Sequence, residues 1–128
     1  MTTLSEASKL KALQEVQRLL YDVPGLRAVV VATIDGFDIA SAQHGELEPA
    51  RIAALASSIS AIGEVVSQEA RLGRGKSVTI DTDSGFALVH AVHHPVVPLV
   101  INVIAGTEAV LGRVAYRVTQ LAHTLAGI

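Results

Sequence analysis

Residues 50–81 of the chain are ARIAALASSISAIGEVVSQEARLGRGKSVTID, a helical pattern that changes to a strand pattern near its end. Apolar residues recur every three or four positions, which predicts a long helix from about Glu48 to Leu72 with Pro49 as its first residue. After Gly73 the period becomes two, in SVTIDT, where apolar and polar residues alternate. The stretch therefore predicts one long helix followed by one strand.

The predicted helix has two apolar faces that differ in side-chain size. One face is made of large residues, Ile52, Leu55, Ile59, Ile62 and Val66. The neighbouring face is made of small residues, Ala53, Ala56, Ser57, Ser60, Gly63 and Ser67. Large side chains are suited to covering a sheet, whereas small ones let a second helix approach closely. We therefore expect the large face to pack on a sheet and the small face to contact another helix.

The letters GKS at residues 75–77 are the second half of a nucleotide-binding P-loop, G-x-x-x-x-G-K-S/T. Ala70 replaces the first glycine of that motif, and GKS follows a helix and precedes a strand, which is the reverse of a P-loop. The nearby Arg71, Arg74 and Lys76 lie at the C-terminal end of the helix, where cations interact favourably with the helix dipole. We interpret the segment as a helix end with two flexible glycines and expect neither GTP nor ATP to bind.

The segment before residue 48 contains a helix and a hairpin. Thr3 and Glu6 have the spacing of a capping box, and Pro24 ends the helix that follows. The predicted inward stripe of this helix is Ala7, Leu10, Leu13, Val16 and Leu20. The β-branched run RAVVVAT then predicts an interior strand, and Asp35-Gly36 predicts a hairpin turn into the more polar edge strand FDIASAQ.

The segment after residue 82 adds two strands and a helix. Asp83-Ser84-Gly85 predicts a turn into FALVHAV, and the very apolar LVINVIAG predicts the central strand. Thr107 is the predicted N-cap of the last helix, whose inward residues are Val110, Val114, Val118, Leu121 and Leu125. The order α-β-β-α-β-β-β-α, with its hairpins, predicts a single α+β domain over residues 1–128 with an antiparallel sheet.

Composition limits the classes of function. The 128 residues carry a net charge of −2 and include two Phe, two Tyr and no Trp, so a nucleic-acid-binding surface is not expected. There is no cysteine, which excludes disulfides and thiolate zinc ligands. No secretory signal is visible and no uninterrupted apolar run reaches membrane length, so we expect a soluble cytoplasmic protein without a membrane-inserted segment.

Three histidines and one asparagine are candidates for binding a metal ion or a small ligand. His90, His93 and His94 lie where a strand leads into a proline-containing loop, with no carboxylate nearby in sequence to complete a metal site. We interpret them as solvated strand-end histidines, with a zinc or iron site across a dimer as the alternative. Asn102 is expected to hydrogen-bond a neighbouring strand end or helix, with ligand binding as the alternative. No catalytic, cofactor-binding or metal residues are predicted.

The order of elements resembles that of the roadblock/dynein light chain family over almost the whole chain. The resemblance rests on VPGLRAVVVATIDGFDIASA at residues 23–42, on the alanine-rich helix and strand at 50–81, and on LVINVIAGTEAVLGRVAYRVTQLA at 99–122. Bacterial members of this family include MglB-type regulators of small Ras-like GTPases. The resemblance implies an antiparallel sheet of strand order 2-1-5-4-3, with helix two on one face and helices one and three on the other.

The same resemblance implies a homodimer in which the second helices pack side by side and the third strands join two sheets into one. Together with the small-residue face, it places these residues at the dimer interface: Ala53, Ala56, Ser57, Ser60, Gly63, Glu64, Ser67, Ser77, Thr79 and Asp81. A platform beside the helix pair is expected to contact a GTPase through Gln68, Arg71, Arg74 and Lys76.

Three functions are compatible with this pattern. The leading hypothesis is a non-enzymatic homodimeric regulator, without a cofactor, that binds a small Ras-like GTPase and positions its switch regions. The second is a dimeric scaffold in a larger complex that leaves GTP hydrolysis unchanged. The third is a small-ligand sensor with a pocket near Asn102.

Overall fold

The computed structural model describes residues 3–128, which form three helices and five strands. In chain order these elements are α1 (Glu6–Asp22), β1 (Leu26–Thr33), β2 (Asp38–Gln43), α2 (Pro49–Glu69), β3 (Ser77–Thr82), β4 (Gly85–Val92), β5 (Leu99–Gly106) and α3 (Leu111–Ala126). The predicted order α-β-β-α-β-β-β-α is confirmed, and Pro49 is the first residue of α2.

The five strands form one antiparallel sheet in the order β2-β1-β5-β4-β3. β1 and β5 lie in its interior because their side chains are apolar on both faces, and Val29, Val30 and Val31 are no more than 1% exposed. β2 and β3 form the two edges. In β2, Ile39 is an extra residue opposite the step from Val31 to Ala32, which makes a β-bulge. The predicted strand order is therefore confirmed.

The helices cover both faces of the sheet. α1 and α3 pack on the face that carries Val29, Leu88 and Ile101. α2 packs on the opposite face, over Ala28 and Val30, and it contacts all five strands. Alternate residues of one strand thus pack into two separate apolar layers, one beneath α1 and α3 and the other beneath α2. The implied placement of helix two on one face, and of helices one and three on the other, is also confirmed.

Two glycines are required where the chain turns sharply. Gly36, with φ of 97°, forms the turn between β1 and β2 that Asp35-Gly36 predicts. Gly25 has φ of 89° and passes so close to the loop before α3 that a Cβ atom would lie 2.5 Å from the backbone nitrogen of Ala109. Its carbonyl also accepts a hydrogen bond from the N–H of Gly106 at 2.9 Å. These contacts tie the start of β1 to the end of β5.

The first helix begins later than predicted. Ser5, not Thr3, is the N-cap, because Ser5 Oγ accepts a hydrogen bond from the backbone N–H of Ser8 at 3.1 Å. The buried face is also rotated, since Leu10 is 57% exposed. The fully buried residues of this helix are Ala12, Val16, Leu19 and Leu20. Only Val16 and Leu20 of the predicted stripe are among them.

The last helix also begins later than predicted. Thr107 is not its N-cap, since Val110 occupies that position without a side-chain capping bond. The residues before it form a turn in which Ala109 N–H donates to the carbonyl of Gly106 at 3.2 Å, and this turn separates Thr107 from the helix. Val110, predicted to face inward, is 63% exposed. The other predicted inward residues are buried: Val114, Val118, Leu121 and Leu125.

The observed cap of α1 gives the first prediction. Ser5→Ala removes the acceptor of the Ser8 N–H and is expected to lower the free energy of unfolding by about 1 kcal/mol. Thr3→Ala is the matched control and should change it by less than about 0.5 kcal/mol. Urea denaturation followed by circular dichroism measures both. Equal effects of the two substitutions would contradict the assignment of the cap.

Candidate functional site

α2 exposes large apolar side chains on the side that faces away from the sheet. Leu55, Ile62, Val65 and Val66 are each between 57% and 66% exposed. Three small residues, Ala54, Ser58 and Ala61, are exposed on the same side of the helix. These seven residues are called the exposed α2 face below. Its large apolar residues are concentrated on one helix side, whereas isolated apolar residues are ordinary on protein surfaces.

The two faces predicted for this helix are only partly as observed in the structure. Ala53 and Ala56, predicted at a helix–helix contact, are buried against the sheet with exposures of 0% and 1%. Gly63 also faces the sheet, where a Cβ atom would lie 2.8 Å from the side chain of Val78. The small residues therefore let α2 approach the sheet rather than a second helix. The prediction was wrong for Ala53 and Ala56, which are not available to a partner.

The large face is divided between the sheet and solvent. Ile52 is buried and Ile59 is half-buried, as predicted, but Leu55, Ile62 and Val66 are exposed. The other predicted interface residues of α2, Ser57, Ser60, Gly63, Glu64 and Ser67, are half-buried. Their place in a dimer remains a prediction.

By length and composition α2 is apolar enough to cross a membrane, with a mean hydropathy of 1.3. In the folded chain, however, one side of α2 packs on the sheet through Ile52, Ala53 and Ala56. The high mean hydropathy arises because α2 has one apolar side against the sheet and a second apolar side that is exposed. We therefore do not assign α2 as a membrane span.

A carboxylate of α2 fixes the segment that leads into β3. Glu64 Oε2 accepts a hydrogen bond from the backbone N–H of Gly75 at 3.1 Å. A Cβ atom on Gly75 would lie 2.8 Å from the same oxygen, so a side chain there would displace the carboxylate. The first N–H of the GKS segment thus points at a carboxylate of its own chain, whereas P-loop N–H groups point at phosphate.

α2 ends at Glu69, before the predicted end at Leu72, and a left-handed residue terminates it. Arg71 has φ of 57°, and the N–H of Leu72 donates to the carbonyl of Ser67 at 2.8 Å. The N–H of Arg71 donates to the carbonyl of Gln68 at 3.1 Å, which completes a Schellman motif. Glycine is the usual residue at this position, and a non-glycine residue with positive φ is uncommon. The segment is thus a helix end, as interpreted, but Arg71 and not a glycine takes the left-handed position that ends the helix.

β3 has one unpaired edge in the described part of the chain. It pairs with β4 along its whole length and with no other strand of residues 3–128. Its side chains Ser77, Thr79 and Asp81, all predicted interface residues, are exposed, and Ile80 is 40% exposed. An unpaired edge presents a row of N–H and C=O groups that pair readily with another strand.

The four predicted partner-binding residues form two separate groups. Gln68 and Arg71 lie together at the C-terminal end of α2, where Gln68 Nε2 is 3.5 Å from Glu64 Oε1. Arg74 and Lys76 line a cavity whose opposite wall is formed by α3, and α3 packs on the other side of the sheet from α2. Gln68 and Arg71 thus lie at the end of α2 and Arg74 lies on the α3 side, whereas Lys76 also borders a narrow cleft beside α2.

His94 has a structural role that the sequence did not indicate. It is 8% exposed, and its Nδ1 accepts hydrogen bonds from the N–H groups of Val96 and Val97 at 3.1 and 3.0 Å. Its Nε2 donates to the main-chain oxygen of Ile128 at 2.9 Å. The interpretation of His94 as solvated is therefore wrong, whereas His93 is exposed.

Asn102 takes the role that was preferred for it. The side chain is 4% exposed, and Nδ2 donates to the carbonyl of Ile52 in α2 across a distance of 3.5 Å. Its Oδ1 has no hydrogen-bond partner within residues 3–128. Asn102 thus links the centre of β5 to the first turn of the helix above it. Among the described residues, no group of three or more His, Asp or Glu side chains is arranged to hold a metal ion.

Comparison with known proteins agrees with this geometry. A model of the Roadblock/LC7 domain family matches residues 12–101. No curated protein matches the chain. Among solved structures, a Roadblock/LC7 domain from Streptomyces avermitilis is 21% identical, with a TM-score of 0.80 over 88% of this chain and 92% of that one. MglB from Myxococcus xanthus is 17% identical, with a TM-score of 0.85 over 98% and 92%. The gliding protein MglB from Thermus thermophilus is 16% identical, with a TM-score of 0.84 over 97% and 92%.

The hydrogen bonds of His94 give the second prediction. His94→Ala removes the acceptor of the Val96 and Val97 N–H groups and is expected to lower the free energy of unfolding by about 2 kcal/mol. His93→Ala, at an exposed neighbouring position, is the control and should have an effect below about 0.5 kcal/mol. Urea denaturation gives both values, and similar values would contradict the role assigned to His94.

Proposed function

Because the chain belongs to the Roadblock/LC7 domain family, we propose that it is a non-enzymatic homodimeric adaptor that binds a small Ras-like GTPase and modulates its nucleotide cycle. The observation that carries this proposal is the exposed α2 face, which has no partner within residues 3–128. The proposed place of action is the cytoplasm.

The exposed α2 face has the composition of a helix–helix contact. Ala54, Ser58 and Ala61 are small and follow each other at intervals of four and three residues, so they form one shallow row. Leu55, Ile62 and Val66 border this row and would interdigitate with the same residues of an antiparallel α2 in a second copy. A two-fold axis makes such a surface complementary to itself.

The unpaired edge of β3 supports the same two-fold arrangement. Two copies of β3 related by a two-fold axis pair antiparallel, so the beginning of one strand meets the end of the other. Because α2 also contacts β3, one symmetry axis serves both contacts.

The GTPase contact is proposed at the end of α2, around Gln68 and Arg71. Arg71 keeps a left-handed backbone conformation at a position where glycine would be less strained. Strained residues of this kind are concentrated at functional sites, and an exposed guanidinium is a good partner for a carboxylate on another protein. GTPase switch loops change shape with the γ-phosphate, so a surface that touches them responds to the bound nucleotide.

A scaffold function is the second candidate, and one observation favours it. Ile34 and Phe37, at the tip of the β1–β2 hairpin, are 55% and 70% exposed. This tip adjoins α2, since a Cβ atom on Gly36 would lie 3.3 Å from Cα of Ala54. The hairpin tip thus adds two exposed apolar side chains beside the exposed α2 face. A scaffold would bind partners through this surface without affecting GTP hydrolysis.

The dimer gives the third prediction. The unaltered protein is expected to be a dimer at micromolar concentration, and Ile62→Arg should produce folded monomers because a charge would be buried between two helices. Gln14→Arg, which adds the same charge at an exposed position of α1, is the control and should remain dimeric. Light scattering coupled to size-exclusion chromatography measures the mass.

Ser60→Arg, measured in the same experiment, distinguishes the side of α2 that packs on the sheet from the exposed α2 face. Ser60 is half-buried on the side towards the sheet, so its replacement is expected to lower the melting temperature of the chain rather than only dissociate the dimer. A monomeric unaltered protein, or a dimeric Ile62→Arg variant, would rule out the exposed α2 face as the dimer contact.

The GTPase contact gives the fourth prediction. Binding to a cognate Ras-like GTPase is expected to favour one nucleotide form, and Arg71→Gly should weaken it by about three- to tenfold through loss of the cation. The same substitution places glycine at a left-handed position, so the melting temperature should stay equal or rise. Calorimetry with GDP and GTP-analogue forms, together with thermal unfolding, measures both quantities.

Arg18→Gln on α1 is the control for charge and should leave the affinity unchanged. A higher melting temperature of the Arg71→Gly variant, with unchanged affinity for the GTPase, would show that Arg71 ends the helix and does not contact the GTPase. Binding without nucleotide preference and without any effect on GTP hydrolysis would favour the scaffold.

A further inference from the structure

A cavity of about 690 Å³ lies on the side of the sheet that carries α3. Its walls are the C-terminal half of α3, the end of β4 and the segment that joins α2 to β3. This volume lies within the range of small-molecule sites in proteins. The small side chains of Ala122 and Ala126 form its apolar part. We call it the basic cavity, for the residues described next.

Five basic side chains from separate parts of the chain line the basic cavity. Arg74 and Lys76 come from the α2–β3 connection, His90 from β4, His93 from the β4–β5 connection and His123 from α3. Within residues 3–128 no Asp or Glu side chain is among its lining residues. The chain as a whole has a net charge of −2, so this positive charge is local. Converging cations with no carboxylate to pair them favour an anionic ligand.

His90 is oriented towards such a ligand by a hydrogen bond to its own strand. Its Nδ1 donates to the carbonyl of Ala91 at 2.8 Å, which leaves Nε2 as the ring atom available to a ligand. Burial lowers the pKa of His90 below its ordinary value of 6.5, and the neighbouring His93, His123 and Lys76 lower it further, against the opposing effect of the Ala91 carbonyl. A bound anion would offset this repulsion.

We propose that the basic cavity binds the phosphate group of a small phosphorylated molecule, with Arg74 and Lys76 as permanent cationic partners and the three histidines as additional donors. A guanidinium donates two parallel hydrogen bonds to phosphate oxygens, and an ammonium adds a compact charge. A phosphate ester carries up to two negative charges near neutral pH, which suits a site with several cations better than a single carboxylate does. A metal cation would be repelled by Arg74 and Lys76.

The site differs from a P-loop in both chemistry and position. Lys76 belongs to the GKS letters, but here its side chain acts with residues of β4 and α3 instead of a loop of backbone N–H groups. The N–H of Gly75 is held by Glu64. The remainder of the ligand would lie against Ala122 and Ala126, so a small apolar or polyol group is the expected attachment to the phosphate. The proposal is independent of any GTPase contact.

Binding should tighten as the pH falls, because the pKa of His90 lies below 6.5 in the protein alone and an anion favours its protonated ring. Inorganic phosphate loses negative charge as the pH falls, so its binding shows a smaller pH dependence than the protein alone would cause. Sulfate keeps its charge over this range and reports the titration of the protein alone.

Isothermal calorimetry on the full chain with inorganic phosphate, glycerol 3-phosphate and sulfate tests the proposal. Saturable binding is expected, with glycerol 3-phosphate tighter than inorganic phosphate. Sulfate should bind more tightly at about pH 5.5 than at about pH 8, because the pKa of His90 lies below 6.5. Sedimentation with phosphatidic acid vesicles, compared with phosphatidylcholine vesicles, distinguishes a lipid headgroup from a soluble ester as the source of the phosphate.

Lys76→Gln and Arg74→Gln should each weaken glycerol 3-phosphate binding by about tenfold, whereas Arg113→Gln removes the same charge outside the cavity and should leave it unchanged. His90→Gln removes the ring whose pKa is lowered in the cavity and should reduce the pH dependence of sulfate binding, and its melting temperature checks that the protein stays folded. Equal losses in the Arg113→Gln and Lys76→Gln variants would show non-specific charge attraction and overturn the proposal. Absence of saturable binding to every probe, with unaltered melting temperatures, would overturn it as well.

Discussion

The close approach of α2 to the sheet is the constraint on which the other surfaces of this protein depend. Ala28 in β1 and Ala53 and Ala56 in α2 are buried between the two layers, and Gly63 leaves no room for a Cβ atom beside Val78. Small residues at a contact shorten the distance between backbones, and they contribute less apolar area than large ones. The helix therefore keeps Ile52 against the sheet and turns Leu55, Ile62, Val65 and Val66 outward.

This close packing also determines the geometry of the segment after α2. Glu64 lies on the same helix as Gly63, one residue further on, and its carboxylate holds the backbone of Gly75 at 3.1 Å. The left-handed turn at Arg71 reverses the chain so that β3 can follow at the edge of the sheet. The way α2 ends at Arg71 therefore determines where the unpaired edge of β3 lies and where Arg74 and Lys76 are placed.

Local patterns were sufficient to predict the strands and the Asp35-Gly36 turn, because periodicity and turn residues act over a few positions. The order of the strands in the sheet was implied only by the family resemblance, because it depends on contacts between distant segments. The orientation of α2 was not predictable in this way. Both of its sides are apolar, and only the space above Ala28 and Val78 decides which side fits. The cap of α1 was misassigned because Thr3 and Ser5 are both good caps close together in sequence. His94 was misjudged because its partner Ile128 is distant in sequence.

The β-bulge at Ile39 bears on how far copies of this domain can associate. A sheet with two open, regular edges can add copies without end and form fibres. The extra residue in β2 interrupts the ladder with β1 and increases the local twist, and Asp38 adds a charge at that end of the edge. The β2 edge is thereby a poor template, which leaves β3 as the edge suited to pairing. Under the proposed pairing, growth through β3 alone would stop after two copies and give a particle of finite size.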